Sequence, residues 1–144
     1  MFSKIIEWLY LHQKGNLVYC DMLTGAKTRH YYDRVAKHKY LDKEIMVAFV
    51  DVNNLKGIND TQGHAVGSHL LKQIANDLME ISGNHEVCRI GGDGFVLLGQ
   101  FDLTELHKVQ NVSIGVVVKE CYEDLSSATQ KADKLMYINK QGCK

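Results

Sequence analysis

The run Ile45-Met46-Val47-Ala48-Phe49-Val50 is apolar without a break and ends on Asp51. A half-exposed strand alternates and an amphipathic helix shows a polar face, so a short, β-branched apolar run predicts a strand buried on both faces. Such a strand needs helices above and below it, and the rest of the chain supplies them. Residues 28–38 predict a helix with a weak stripe of Tyr32, Val35 and Ala36. Residues 65–81 predict a longer one, with Val66, Leu70, Ile74 and Leu78 in one row and Leu71, Ala75 and Met79 beside it. Val87–Ile90 and Phe95–Leu98 flank Gly91-Gly92-Asp93-Gly94, the pattern of a hairpin. Val112–Val118 predicts a further buried strand. Ser127 followed by Gln130 predicts a capping box opening a last helix, with Ala128, Ala132, Leu135 and Met136 inward. Near the start, Phe2, Ile5, Ile6 and Leu9 give a helical stripe over 3–14 that ends at Gly15, followed by an extended stretch over 16–20. The expected fold is an α/β (α+β) sandwich, a central mostly antiparallel sheet with helices on both faces. One domain is expected over 16–144, preceded by a helix over 1–15 that either packs on it or pairs two copies.

Composition narrows the function classes. With 45% hydrophobic and 24% charged residues the chain can bury a core and is not a disordered polymer. Seventeen basic residues balance seventeen acidic ones, which argues against DNA or RNA as a bulk electrostatic partner and leaves room for a small phosphate ligand. No apolar run approaches the length of a membrane span, and Glu7 interrupts the N-terminal apolar stretch, so neither an anchor nor a signal peptide is expected. Cys20, Cys88, Cys121 and Cys143 form no C-x-x-C pair and match no zinc spacing, which is the usage of reduced thiols in a cytoplasmic protein.

The chemistry concentrates where the apolar run ends. Asp51 is followed by Asn53-Asn54-Leu55-Lys56-Gly57-Ile58-Asn59-Asp60. A carboxylate, then free amides opening a helix, then a lysine, suits a metal-bound polyphosphate. The amides and helix N-terminus take the anion, the lysine adds a point charge, and the carboxylate holds Mg²⁺, which accepts few protein ligands. The same residues also read as a polar strand-to-helix loop capped by Asp51. An EF-hand loop fails at Leu55, Lys56 and Gln62, where positions five, six and twelve need other residues. Gly91 and Gly92 before Asp93 let the backbone turn tightly beside a ligand, or simply make a turn with a surface aspartate. Two carboxylates at neighbouring strand ends are the minimum for sharing divalent ions in phosphoryl transfer.

Together these segments resemble the GGDEF domain, the catalytic domain of diguanylate cyclases. The signature reads Arg89-Ile90-Gly91-Gly92-Asp93-Gly94-Phe95, and the preceding segment runs from Phe49 through Asp60 to Gly63-His64 and Gly67-Ser68. Upstream, Asp21-Met22-Leu23-Thr24-Gly25 with Arg29 resembles the family's opening element, with Thr28 where asparagine is usual. Downstream, Val112-Ser113-Ile114-Gly115-Val116 and Ala132-Asp133-Lys134-Leu135-Met136-Tyr137, with Lys140 and Gly142, resemble its closing strand and helix. The resemblance implies a nucleotidyl-cyclase palm. It implies metal ligation (Mg²⁺ or Mn²⁺) by Asp51, Asp93 and the Val52 carbonyl. Triphosphate contacts are implied at Asn54, Leu55, Lys56 and Lys134, beside Gly91 and Gly92, with base reading by Asn59 and Ser68. It also implies a homodimer that condenses two nucleoside triphosphates into a cyclic dinucleotide, with Asp51, Asp93 and Lys56 as the catalytic set.

The departures from the family pattern have consequences of their own. Gly94 stands where the family has an acid that serves the metal site and the attacking hydroxyl, so the resemblance leaves two readings, a reduced cyclase and a silent nucleotide-binding or regulatory module. Ser68 replaces an aspartate that reads guanine, which implies relaxed base choice and admits ATP beside GTP. The usual product-inhibition motif is missing, its positions being Ser82 and His85. Ile138 takes the place of a basic residue expected one turn after Lys134. Only thirteen residues, Gly99–Asn111, separate the hairpin from the last strand, which implies a trimmed fold.

Overall fold

The computed structural model describes residues 19–83 and 86–142, together with Lys4. The helix expected over 3–14 and most of the extended stretch over 16–20 lie outside the described residues. Within them, five strands form one sheet: β1 (Lys27–Thr28), β2 (Ile45–Val52), β3 (Val87–Arg89), β4 (Gly94–Gly99) and β5 (Val112–Lys119). Their order across the sheet is β1-β3-β4-β2-β5. β1 pairs with β3 in parallel and every other pairing is antiparallel.

The continuous apolar run is β2, and it is central, flanked by β4 and β5. Because side chains alternate across a strand, its two faces serve two cores. Ala48, Val50 and Val52 join Phe95, Leu97, Leu71, Ile74, Ala75 and Leu78 on one side. Val47 joins Val96, Leu98, Cys88, Tyr31, Tyr32, Ala36, Leu125, Ala128 and Ala132 on the other. The first core is covered by helix α3 (His64–Ser82). The second is covered by α1, which runs Arg29–Tyr31, through a π-helical turn at Tyr32–Ala36, to Lys37–Lys39, and by the last helix, α5 (Leu125–Gly142). Between them lie α2 (Leu55–Gln62) and the short α4 (Leu103–Leu106), which is all the helix the trimmed connection carries. The expected sandwich with helices on both faces is the fold observed.

Two details differ from expectation. The last helix begins at Leu125, and Asp124 caps it by accepting from the Ser127 amide at 2.7 Å, so Ser127 lies in the first turn. Leu125 is only 1% exposed; starting at Ser127 would leave that burial outside the helix. Leu135 and Val66, expected inward, are 41% and 42% exposed. Each sits at the margin of an apolar stripe whose centre is already filled, by Ala132 and Met136 in one helix and by Leu71 and Ile74 in the other.

Gly115 is where α5 presses closest to the sheet. A Cβ there would overlap the Ala132 carbonyl and the Met136 amide, so only glycine lets the helix seat on β5. At the far end of β5, Lys119 is fully buried and its ammonium donates to the carbonyls of Lys43 (2.8 Å), Glu120 (3.1 Å) and Leu41 (3.3 Å). Lys119→Met keeps the length and volume but strips three part-buried carbonyls of their donor. It is expected to destabilise the fold by about 2–3 kcal/mol, read as a lower urea midpoint at unchanged slope. An unchanged midpoint would contradict that role.

Candidate active site

The signature loop and the end of β2 are locked together by backbone register. Asp51 pairs with Gly94 on one side and with Ser113 on the other. The Val52 amide donates to the Asp93 carbonyl at 2.8 Å, while Ile90 and Gly91 both donate to the Gly94 carbonyl, at 2.8 and 3.4 Å. The loop is thus a tight turn that leaves Gly91, Gly92 and Asp93 exposed beside the half-buried Asp51. The two carboxylates interact. Burial raises the Asp51 carboxyl above the usual carboxylate range, the neighbouring Asp93 charge raises it further, and Lys140 opposes both without cancelling them. A hard cation shared by these acids would relieve both the desolvation and the repulsion. Among the described residues no third acid, histidine or cysteine gathers with them. That donor set fits Mg²⁺ or Mn²⁺, which keep most of their coordination for water and phosphate oxygens, and it does not fit a caged zinc.

Beyond Val52 the chain turns through Asn54, which adopts the left-handed region at φ 55° and opens α2. Asparagine tolerates that conformation where most residues are strained. The Asn53 amide is taken by the Asn111 carbonyl at 2.8 Å and the Ile58 amide by the Asn54 carbonyl at 3.0 Å. Between them, the amides from Leu55 onward open the helix ahead of its first carbonyl partner. Leu55 is half buried against the α3-side core, which fixes this helix start, and Lys56 beside it is exposed. Asn59 lies against Gly67, where a Cβ would overlap its side-chain amide, so Asn59 and Ser68 flank one close approach of α2 and α3. Gly63, at φ 92°, makes the turn between those helices.

A second network steadies the hairpin from behind. Arg89 donates to Asp21 at 3.1 Å and to the Gly92 carbonyl at 2.8 Å. Asp21 also accepts from the Thr24 hydroxyl (2.7 Å) and amide (3.0 Å). Burial alone would raise the Asp21 carboxyl, but Thr24 and Arg89 together hold it below the usual range. The opening turn of the domain thereby grips the loop residue next to Asp93. Arg89 reads from sequence as an ion-pair partner, and the structure supplies the acid.

Two lysines of α5 lie differently. Ala132 and Met136 face the sheet, and Lys134, midway between them, is exposed on the opposite side of α5. The lysine that reaches Asp51 is Lys140, whose ammonium donates to Asp51 Oδ2. It continues the sheet-facing row Ala128, Ala132, Met136 at four-residue spacing. That row is readable in the sequence. Ile138, next to that end of the helix, is 62% exposed.

A family model described as "Diguanylate cyclase, GGDEF domain" matches residues 18–108. The chain belongs to the GGDEF family. Diguanylate cyclase DgcS of Shewanella oneidensis is 34% identical over 86 residues, 56% of this chain and 29% of that protein. Diguanylate cyclase DgcN of Escherichia coli is 34% identical over 97 residues, 64% of this chain and 24% of that protein. This GGDEF chain therefore spans about a quarter of the length of those curated relatives. In structure it superposes on the coiled coil and GGDEF domain of DgcB from Caulobacter crescentus, solved in complex with c-di-GMP. The TM-score is 0.80 at 22% identity, covering 97% of this chain and 91% of that one. That likeness is one of fold, and it extends through β5 and α5, beyond the segment the family model matches. Among the described residues no helix is long and apolar enough to cross a membrane.

Proposed function

We propose that this GGDEF domain is a nucleotidyl cyclase that condenses two nucleoside triphosphates into a cyclic dinucleotide, one nucleotide held by each subunit of a homodimer. The observation that carries the reading is that Asp51, at the end of β2, stands beside Asp93 of the signature turn and beside the open N-terminus of α2. In this reading the 3′-hydroxyl oxygen of one nucleotide attacks the α-phosphorus of the other. The new P–O bond forms as the bond to the β-phosphate breaks, pyrophosphate leaves, and the hydroxyl proton passes to water. The opposite pair repeats the step and closes the ring.

Asp51, Asp93 and the Val52 carbonyl would hold Mg²⁺ or Mn²⁺, which neutralises charge on the phosphates when bound. The chain's own part is positioning and charge. The α2 amides from Leu55 and the Lys56 ammonium meet phosphate oxygens, and Gly91 and Gly92 let them approach the backbone. Asn59 and Ser68 face the base. Ser68 offers one hydroxyl where two purine N–H groups would otherwise be read, so adenine and guanine are both accepted.

A second reading rests on Gly94, directly opposite Asp51 in the sheet. With no acid there, the domain would bind nucleotide and signal its presence without turning it over. Incubation with ATP, GTP and their mixture, with Mg²⁺ and separately with Mn²⁺, followed by mass spectrometry, separates the two. A cyclic dinucleotide supports the cyclase. Intact triphosphates together with a nucleotide-dependent rise in melting temperature support the binding module. Neither product nor a melting shift would sink both.

A further inference from the structure

The ion pair at the base of the site asks why a lysine should sit on the carboxylate best placed to hold a cation. The two side chains are not equally accessible. Asp51 is 13% exposed and Lys140 38%. The acid is fixed at a strand end by pairing on both sides, whereas the lysine is the flexible, solvent-facing member. The root of Lys140 is nonetheless well placed, because Gly115 seats α5 tightly on β5 one turn earlier, at Met136. No acid stands at Gly94 to share the ammonium, which donates to Asp51.

We propose that Lys140 is an exchangeable counter-ion, pairing with Asp51 while the divalent cation is absent and yielding the carboxylate when the cation arrives. The proposal rests on reading Asp51 and Asp93 as cation ligands. Asp51 Oδ2 cannot serve both the ammonium and a metal ion in the same place, so cation binding displaces the lysine. The freed ammonium then stands at the rim of the site, where it attracts a polyphosphate. The lysine therefore weakens capture of a bare cation and strengthens capture of a cation together with a triphosphate. Coupling of this kind is reciprocal, since each ligand must aid the other by the same factor. Its consequence is that metal and nucleotide load as a unit.

The test titrates the full chain with Mn²⁺ alone, following free Mn²⁺ by electron paramagnetic resonance, and repeats the titration with ATP or GTP present. Lys140→Met is expected to bind bare Mn²⁺ roughly tenfold more tightly than the parent, because a neighbouring positive charge is gone. The same variant should lose most of the extra tightening that nucleotide gives the parent. Lys131→Met, at an exposed lysine nine residues earlier on the same helix and paired with Glu123, should match the parent in both titrations. Lys140→Arg preserves the charge and offers two N–H groups to the carboxylate, so it should weaken bare Mn²⁺ binding. It also keeps the question answerable if the methionine variant folds poorly.

Equal or weaker Mn²⁺ binding by a native-like Lys140→Met protein would overturn the proposal, as would a failure of either protein to bind Mn²⁺. Tighter binding by the variant in a protein that makes no cyclic dinucleotide would uphold the counter-ion and remove the cyclase. Unchanged Mn²⁺ affinity in a protein that does make the product would do the reverse.

Discussion

Gly94→Glu should raise cyclic dinucleotide formation by roughly 100–1,000-fold, the usual worth of one charge-stabilising group restored to an active site. The site has room for it. A Cβ on Gly94 would meet only two carbons of the Phe49 ring, both at 3.6 Å, an ordinary contact. Gly94 pairs directly with Asp51, and residues paired across an antiparallel ladder project from the same face. The new carboxylate would therefore emerge beside Asp51, near the incoming hydroxyl and any shared cation. It would also add a third negative charge to a place where Asp51 is already raised by burial and by Asp93. A modest fall in melting temperature without cation, restored by Mg²⁺, is the expected companion. Product formation measured under matched Mg²⁺ and nucleotide decides the matter. A silent parent made active would assign the natural protein to nucleotide sensing. A weakly active parent made strong would keep it among the cyclases. No change in either protein would mean that the missing acid is not what limits the site.

What the sequence discloses about this fold tracks how local each signal is. β2, β4, β5 and α3 are legible because their apolar residues repeat at strand or helix period over many positions, and burial enforces that period in the folded state. The start of α5 is less so: Asp124 and Ser127 are both able caps, and what decides between them is the burial of Leu125, a tertiary fact. The site divides in the same way. Asp51 and Asp93 can be read from strand ends and a glycine turn, each within a few residues of its signal. The partner of Arg89 is Asp21, 68 positions away, and no local pattern names it. Lys119 looks like any charge at a strand end, and only the folded chain shows three carbonyls around it. Lys140 falls between these cases. Its helical row is visible in the sequence, but its approach to Asp51 depends on Gly115 drawing the helix onto the sheet.

Asp51→Ala is the substitution with the largest loss. It should abolish detectable product and remove Mn²⁺ binding, leaving Asp93 as the lone carboxylate, while the chain stays folded. The second half of that expectation follows from the energetics of the parent. Burial and Asp93 both disfavour the Asp51 charge, so the native fold gains little from it. What the variant gives up is one half-exposed ion pair to Lys140, worth about 0–1 kcal/mol for such pairs. Relief of the repulsion at Asp93 works in the opposite direction. The melting temperature should therefore move by no more than roughly 4 °C, against the several-degree shift per kcal/mol typical of a domain this size. The backbone ladder that carries Asp51 does not depend on its side chain, because β2 is paired on both sides at that position. Calorimetry and the product assay on the same preparation separate the two effects. Parent-like turnover by a folded Asp51→Ala protein would dispose of the two-carboxylate mechanism. Collapse of the fold would instead make Asp51 a structural residue, and the polar strand-to-helix loop would then be the better description of this segment.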